Sequence, residues 1–198
     1  MRILVLVFLA MIAASNAAVA AEAGDWVIRA GPYGVMPKSD NSDVVDVDDG
    51  YALGFNFTYY YTPNWAFELL AATPFKHDVK LLDGTRVAEV EHLPPTLTAQ
   101  YHFDTGNNFN PYVGLGLNYT LFFSESTSGP LAGTDLSLDG SFGLAAQLGF
   151  DYDLQNDWLI NLDVRYIDIE SDAELDGAAL TSVDVSPWVI GLALGKRF

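Results

Sequence analysis

The sequence predicts an all-β fold: an eight-stranded antiparallel transmembrane β-barrel with short periplasmic turns and long extracellular loops. Three observations predict it. Runs of period-two alternation recur along the whole chain. One face of each run is apolar and rich in aromatics, while the other is mostly Gly, Ala, Asn and Thr with few charges. The connections between runs alternate between short and long. A soluble sandwich would carry its charge on the exposed face, whereas a strand between lipid and a lumen is apolar outward and small or polar inward.

The first twenty residues read as a secretory signal peptide. Arg2 supplies the positive start, Ile3 to Ala14 is apolar, and Ala18-Val19-Ala20 is a small-x-small cleavage site. The apolar run is too short for a membrane helix, which needs ~20 residues. Residues 21–198 are then one barrel domain.

The clearest hairpin follows the first strand. Tyr51, Leu53, Phe55, Phe57, Tyr59 and Tyr61 alternate with Ala52, Gly54, Asn56, Thr58 and Tyr60. Thr62-Pro63-Asn64 turns the chain, and a second run continues from Trp65 to Thr73. The first strand is expected over 26–35, the second and third over 51–61 and 65–73. The remaining five are expected over 95–103, 111–122, 140–153, 158–169 and 183–198. Each is near the ~9–11 residues that a tilted strand needs to cross a bilayer.

Thr62–Asn64, Asp104–Asn110 and Leu154–Asp157 are the short connections. The long ones are acidic: segments 37–49, 74–92, 123–139 and 170–184 hold 5, 4, 3 and 5 of the 26 acidic residues. They read as solvated loops. Aromatics fall at the strand ends. Trp26, Tyr59, Trp65, Tyr101, Trp158 and Phe198 lie at the short-turn level, and Tyr119, Phe122, Phe142 and Tyr166 at the other. A closed barrel is required because hydrocarbon offers no partner to a free backbone N–H or C=O.

Composition excludes several classes. The formal net charge is −17, so nucleic acid is not a partner. There is no Cys, hence no disulfide framework. No Gly-x-Ser-x-Gly elbow, metal-ligand cluster or complete dinucleotide fingerprint is present, so no catalytic residue, metal or cofactor is assigned and the chain does not read as an enzyme. His77 and His92 fall in or beside the second long loop, where a lipid-modifying barrel would place a base, but no nucleophile accompanies them.

Inward parity selects Arg29, Glu68, Asp151, Asp163 and Arg165, with Gln100, His102, Gln147 and Asn161. Buried charges need partners, so a lumen network is expected in which Glu68 and Asp163 neutralise Arg29 and Arg165. An eight-stranded lumen is barely wide enough for its own side chains, which makes this network a plug. Val27, Tyr33, Val35, Leu70, Phe122 and Phe123 are the expected apolar lining. Pro32 and Pro187 are expected in the upper halves of the first and last strands, neighbours once the barrel closes, where they either mark ordinary bulges near the rim or weaken the seam and leave a gap in the wall. Pro94 and Pro95 open the fourth strand at the same level.

Leu69-Leu-Ala-Ala-Thr-Pro-Phe-Lys-His-Asp78, Leu93-Pro-Pro-Thr-Leu-Thr-Ala-Gln-Tyr-His-Phe103 and Pro111-Tyr-Val-Gly-Leu-Gly-Leu-Asn-Tyr-Thr120 resemble the outer membrane protein W family. Trp158 to Ile169 and the terminal Phe198 share the likeness, which covers essentially all of the chain after the leader. The resemblance implies residence in the Gram-negative outer membrane. It implies passive passage of small hydrophobic molecules, as in the alkane-uptake relatives, through a lumen that opens sideways into the membrane. The expected partners are outer-membrane lipid and lipopolysaccharide, and small hydrophobic solutes. A structural or receptor barrel, whose acidic loops bind cations, lipopolysaccharide or a partner, is the other reading of the same residues.

Overall fold

The structure, a computed structural model, describes residues 21–38, 42 and 44–198. The expected signal peptide, residues 1–20, lies outside them. Fourteen strands follow in chain order: β1 (Trp26–Met36), β2 (Val45–Val47), β3 (Gly50–Tyr60), β4 (Trp65–Ala72), β5 (Phe75–Leu81), β6 (Arg86–Leu93), β7 (Thr96–His102), β8 (Phe109–Thr127), β9 (Leu136–Leu138), β10 (Ser141–Asp153), β11 (Trp158–Ile167), β12 (Glu170–Leu175), β13 (Ala178–Asp184) and β14 (Trp188–Arg197).

Eight of them close the wall in the order β1, β3, β4, β7, β8, β10, β11, β14 and back to β1, each neighbouring pair antiparallel. Closure leaves no sheet edge in the lipid, as hydrocarbon demands. The alternation decides which way each side chain points. Ile28, Phe57, Leu69, Leu115, Leu144 and Leu192 face out and are exposed, while Arg29, Asn56, Thr58, Glu68, Thr98 and Asn161 face in and are fully buried. Aromatics ring the short-turn end, with Trp26 against Tyr59 and Trp65 against Tyr101, each pair 5.1 Å apart. At the opposite level Tyr119 lies across from Phe142, and Tyr166 stands 5.4 Å from Trp188. Among the described residues no helix is long and apolar enough to cross a membrane.

The long connections are not simply solvated loops. β2, β5 and β6 pair in sequence, and β6 pairs with the upper part of β8, from Leu93 opposite Leu121 to Ala88 opposite Thr127. β9, β12 and β13 form a separate three-stranded sheet. The acidic runs conceal a second alternation. Ala88, Val90 and His92 turn inward on β6 while Glu89 and Glu91 turn outward, and Ser171 and Ala173 do the same on β12 between Glu170, Asp172 and Glu174. The barrel therefore continues upward as a cap with an apolar interior.

The seam between β1 and β14 corrects the expected opening. The pairing runs from Val27 opposite Arg197 to Ala30 opposite Leu194, then from Tyr33 opposite Gly191 to Met36 opposite Trp188, with the register unchanged across Gly31 and Pro32. Above it Lys38 N–H donates to the Val185 carbonyl at 3.1 Å. Pro187 lies just before β14 and does not face Pro32, which sits beside Leu53 of β3 on its other side. The last strand begins at Trp188 and not at residue 183, because Ser186 with φ +21° and Pro187 break the run. The seam is closed around a glycine. A Cβ on Gly31 would stand 2.0 Å from the Leu192 carbonyl oxygen and 2.7 Å from Ala193 Cα.

Gly31→Ala is expected to force the seam apart and to destabilise the barrel by about 1–3 kcal/mol, the usual cost of overpacking. Urea unfolding of the lipid-embedded protein, compared with Ala30→Gly as a control that adds no atoms, measures it.

Candidate functional site: an apolar cap over an ionic lumen

The lumen is filled by charge. Glu68, from β4, is its hub. Its Oε2 accepts from Arg29 Nη1 at 3.1 Å and Thr58 Oγ1 at 3.0 Å, and its Oε1 from Arg165 Nη2 at 2.6 Å and Gln147 Nε2 at 3.1 Å. All four lone-pair positions of the carboxylate are thus used. Asp163 accepts from Arg165 Nε at 2.7 Å and from the Tyr112 hydroxyl at 3.1 Å. Arg29, Glu68, Asp163 and Arg165 are all fully buried.

Sequence parity missed the strongest partner of Arg29. Asp151 binds it through two parallel bonds, Nε to Oδ1 at 3.0 Å and Nη2 to Oδ2 at 2.5 Å. The signal was present, since Asp151 shares inward parity on β10. Only the curvature of the wall brings β10 opposite β1, 122 residues away in sequence. Planar, bidentate pairing of this kind is the strong form of the arginine–carboxylate bond. Nearer the short-turn end Arg197 Nη2 pairs with Asp153 Oδ1 at 3.1 Å. His102 donates from Nε2 to Gln100 Oε1 at 3.0 Å and accepts from the Tyr60 hydroxyl at 3.1 Å, so the inward polar residues form a continuous layer.

The six expected lining residues separate. Tyr33, Val35 and Leu70 join Phe75, Ile167, Ile169, Val185 and Val189 in an apolar cluster above the ionic layer, with Phe122 packed against it. Val27 does not join them. It packs with Tyr60, Ala66 and Leu159 below the charges, because it sits eight residues before Val35 on the same strand. Phe123 is half-buried on the wall opposite Glu91 and does not line the cavity. It follows Phe122, so alternation turns it to the other face, and Ser124 at φ +56° then kinks β8.

Above the cluster the cap encloses an apolar cavity of about 70 Å³, lined by Val45, Val47, Val79, Val90, Phe122, Leu138, Ala173, Val183 and Val185 together with His77 and His92. This space is several times the ~10–15 Å³ that one water needs. The histidines are its only nitrogen-bearing rings. His77 donates from Nδ1 to the Asp48 carbonyl at 2.6 Å and stacks on His92 at 4.9 Å. His92 in turn stacks on Phe75 at 5.5 Å and leans on Phe122 at 5.7 Å. Among the described residues no hydroxyl is hydrogen-bonded to either imidazole, so neither forms a nucleophile–base pair. Burial, aided by the neighbouring His77, pushes His92 down to about 3, and burial also lowers His77. Both rings are neutral at ordinary external pH.

The ladder between neighbouring wall strands is interrupted just below the cap hairpin. β4 and β7 pair from Trp65 opposite Tyr101 up to Leu70 opposite Thr96, and pairing resumes only between Phe75 and His92 of the cap hairpin. Between them, residues 71–74 face residues 93–95 without a ladder. Pro74, Pro94 and Pro95 occupy this stretch and lack the N–H that a ladder needs. The Pro95 carbonyl turns instead to β8, accepting from Tyr119 N–H at 3.1 Å and Asn118 Nδ2 at 3.2 Å.

A sequence model described as the OmpW family matches residues 22–198. Outer membrane protein W of Escherichia coli (strain K12) is 43% identical over 197 residues, covering 93% of each chain. The crystal structure of the outer membrane protein OprG from Pseudomonas aeruginosa superposes with a TM-score of 0.81 at 37% identity, covering 89% of this chain and 97% of that one. The Dibenzothiophene metabolism operon protein PahQ of Pseudomonas aeruginosa is 27% identical over 159 residues, covering 77% of this chain and 74% of its own.

Two outcomes follow from the charges. Asp151→Asn leaves Arg29 short of its bidentate partner in a buried layer and is expected to destabilise the barrel by about 3–5 kcal/mol, read from urea unfolding in lipid. The cap responds to acid. His92 folded titrates near 3 against 6.5 when unfolded, so below about 6.5 the unfolded form binds more protons. Stability should fall as pH drops through that window, and His92→Phe should flatten the fall when unfolding midpoints are compared across it.

Proposed function

This chain belongs to the OmpW family, and we propose that it carries out passive uptake of small hydrophobic molecules across the outer membrane, from the capped cavity sideways into the lipid. One observation carries the reading: an apolar cavity stands directly over an ionic layer whose carboxylates are all held by arginines. A hydrophobic solute that enters from outside cannot continue down the lumen, because passing the charges would mean desolvating or separating buried ion pairs.

The exit then lies in the wall. The unpaired stretch between residues 71–74 and 93–95 lies just below the hairpin whose His77 and His92 line the cavity, with Leu70 buried at its lower lip and Phe75 at its upper lip. A solute leaving there meets fewer backbone donors than elsewhere in the wall, since prolines have removed three of the N–H groups. The first and last strands play no part in this exit. PahQ, a relative named for dibenzothiophene metabolism, supports a hydrophobic cargo. Free-energy input is not required, because the solute moves toward an apolar phase at every step.

Uptake of a labelled alkane or polycyclic aromatic by cells with and without the protein, against an equally expressed small inert barrel, tests the reading. A higher initial rate is expected. Leu70→Asp should lower that rate while the barrel still forms, and Pro94→Ala with Pro95→Ala, which restores two donors to the ladder, should lower it too. Uptake indifferent to all of these would overturn the route.

A further inference from the structure

The cavity is lined by apolar side chains except for Ser171 and Thr181, whose hydroxyls bond backbone carbonyls, and for two histidines. His77 and His92 are each 3% exposed, and the Nε2 atom of each is buried with no hydrogen-bond partner. Two unsatisfied ring nitrogens in a largely apolar chamber require an explanation, because buried polar atoms are ordinarily paired.

Their chemistry is constrained. His77 holds its Nδ1 proton against the Asp48 carbonyl, which can only accept, so the neutral ring presents Nε2 as a lone-pair acceptor. The His92 ring lies 4.9 Å away and within 25° of parallel. Gly50 keeps the edge of His77 clear, since a Cβ there would stand 2.6 Å from Nε2 and 2.5 Å from Cε1.

We infer that the histidine pair is a recognition point for a hydroxyl group, and that the preferred solute is a small hydrophobic alcohol or phenol and not the bare hydrocarbon. The inference rests on the cavity being the entry site described above. A hydroxyl can serve either nitrogen: it donates to His77 Nε2, and its oxygen accepts from His92 Nε2 when that atom carries the ring proton. An ether, thioether or ketone cannot donate, and a carboxylate or ammonium would have to leave water for an apolar wall. The rest of the molecule fills the space between Val90, Phe122 and Val183, which offers no polar contact. Discrimination of this sort is steep because an analogue lacking the hydroxyl leaves both nitrogens unpaired.

The test titrates the full mature protein, in lipid nanodiscs, with naphthol and with its parent naphthalene, using empty discs as background. His92→Phe keeps a ring in the stack and removes both nitrogens. His77→Asn keeps a donor for the Asp48 carbonyl and removes Nε2. Each variant is expected to weaken naphthol about fivefold, the worth of one hydrogen bond, with naphthalene unchanged. Equal losses for both probes, or none for either, would overturn the inference and leave the pair to a bound water. If naphthalene binds and enters cells but naphthol gains nothing, only the hydroxyl reading fails. If wild type binds neither probe, the cavity as entry site fails with it.

Discussion

Everything in this molecule follows from closing a sheet with only eight strands. Closure is imposed by the hydrocarbon, where an unpaired backbone group has no partner. A barrel of this size has room inside only for its own side chains. The lumen must therefore be filled, and whatever fills it must be self-sufficient. Glu68 meets that demand: one carboxylate takes four hydrogen bonds from Arg29, Thr58, Arg165 and Gln147, which come from four different wall strands. It ties together staves that the backbone ladder links only to their immediate neighbours.

The ionic layer then dictates the route. A conducting pore would need a wider barrel or a chain of exchangeable sites. This layer instead seals the middle of the molecule, with Val27, Tyr60, Ala66 and Leu159 below it and the larger apolar cluster above. The upper cluster opens upward into the cap and faces the break between β4 and β7. Height along the barrel thus separates three environments: polar at the short-turn mouth, ionic in the middle, apolar toward the outside. The wall itself stays lipid-facing throughout.

The cap shows how a highly acidic chain builds an apolar chamber. Its acids are placed on outward positions and partly neutralised, Glu91 by Lys76, and Asp78 and Glu89 by Arg86. Such exposed pairs contribute little stability each. Their effect is to let short strands carry charge on one face and Val, Ala or His on the other. The histidines within the chamber are kept neutral by burial and held by one backbone carbonyl and by ring stacking.

The sequence by itself determined the fold class, the eight wall strands, and which residues face the lumen. Alternation is a local property: parity alone puts Arg29, Glu68, Asp163 and Arg165 inside and Ile28, Leu69 and Trp188 outside. The family resemblance was equally local, carried by contiguous motifs. What the tertiary structure decided was every relation of height and of distant contact. Parity could not say that Val27 and Val35 lie on opposite sides of the ionic layer or that Asp151 meets Arg29. The expected opening lay at the seam of first and last strands, where pairing resumes above Pro32. Pro32 and Pro187 belong to neighbouring strands but sit at different heights, because an antiparallel register pairs Met36 with Trp188 and leaves Pro187 above the pair. Pro74, Pro94 and Pro95 coincide because the cap hairpin folds residues 75 and 92 together directly above them. Register and curvature are set by the closed sheet as a whole, so no stretch of sequence read alone contains them.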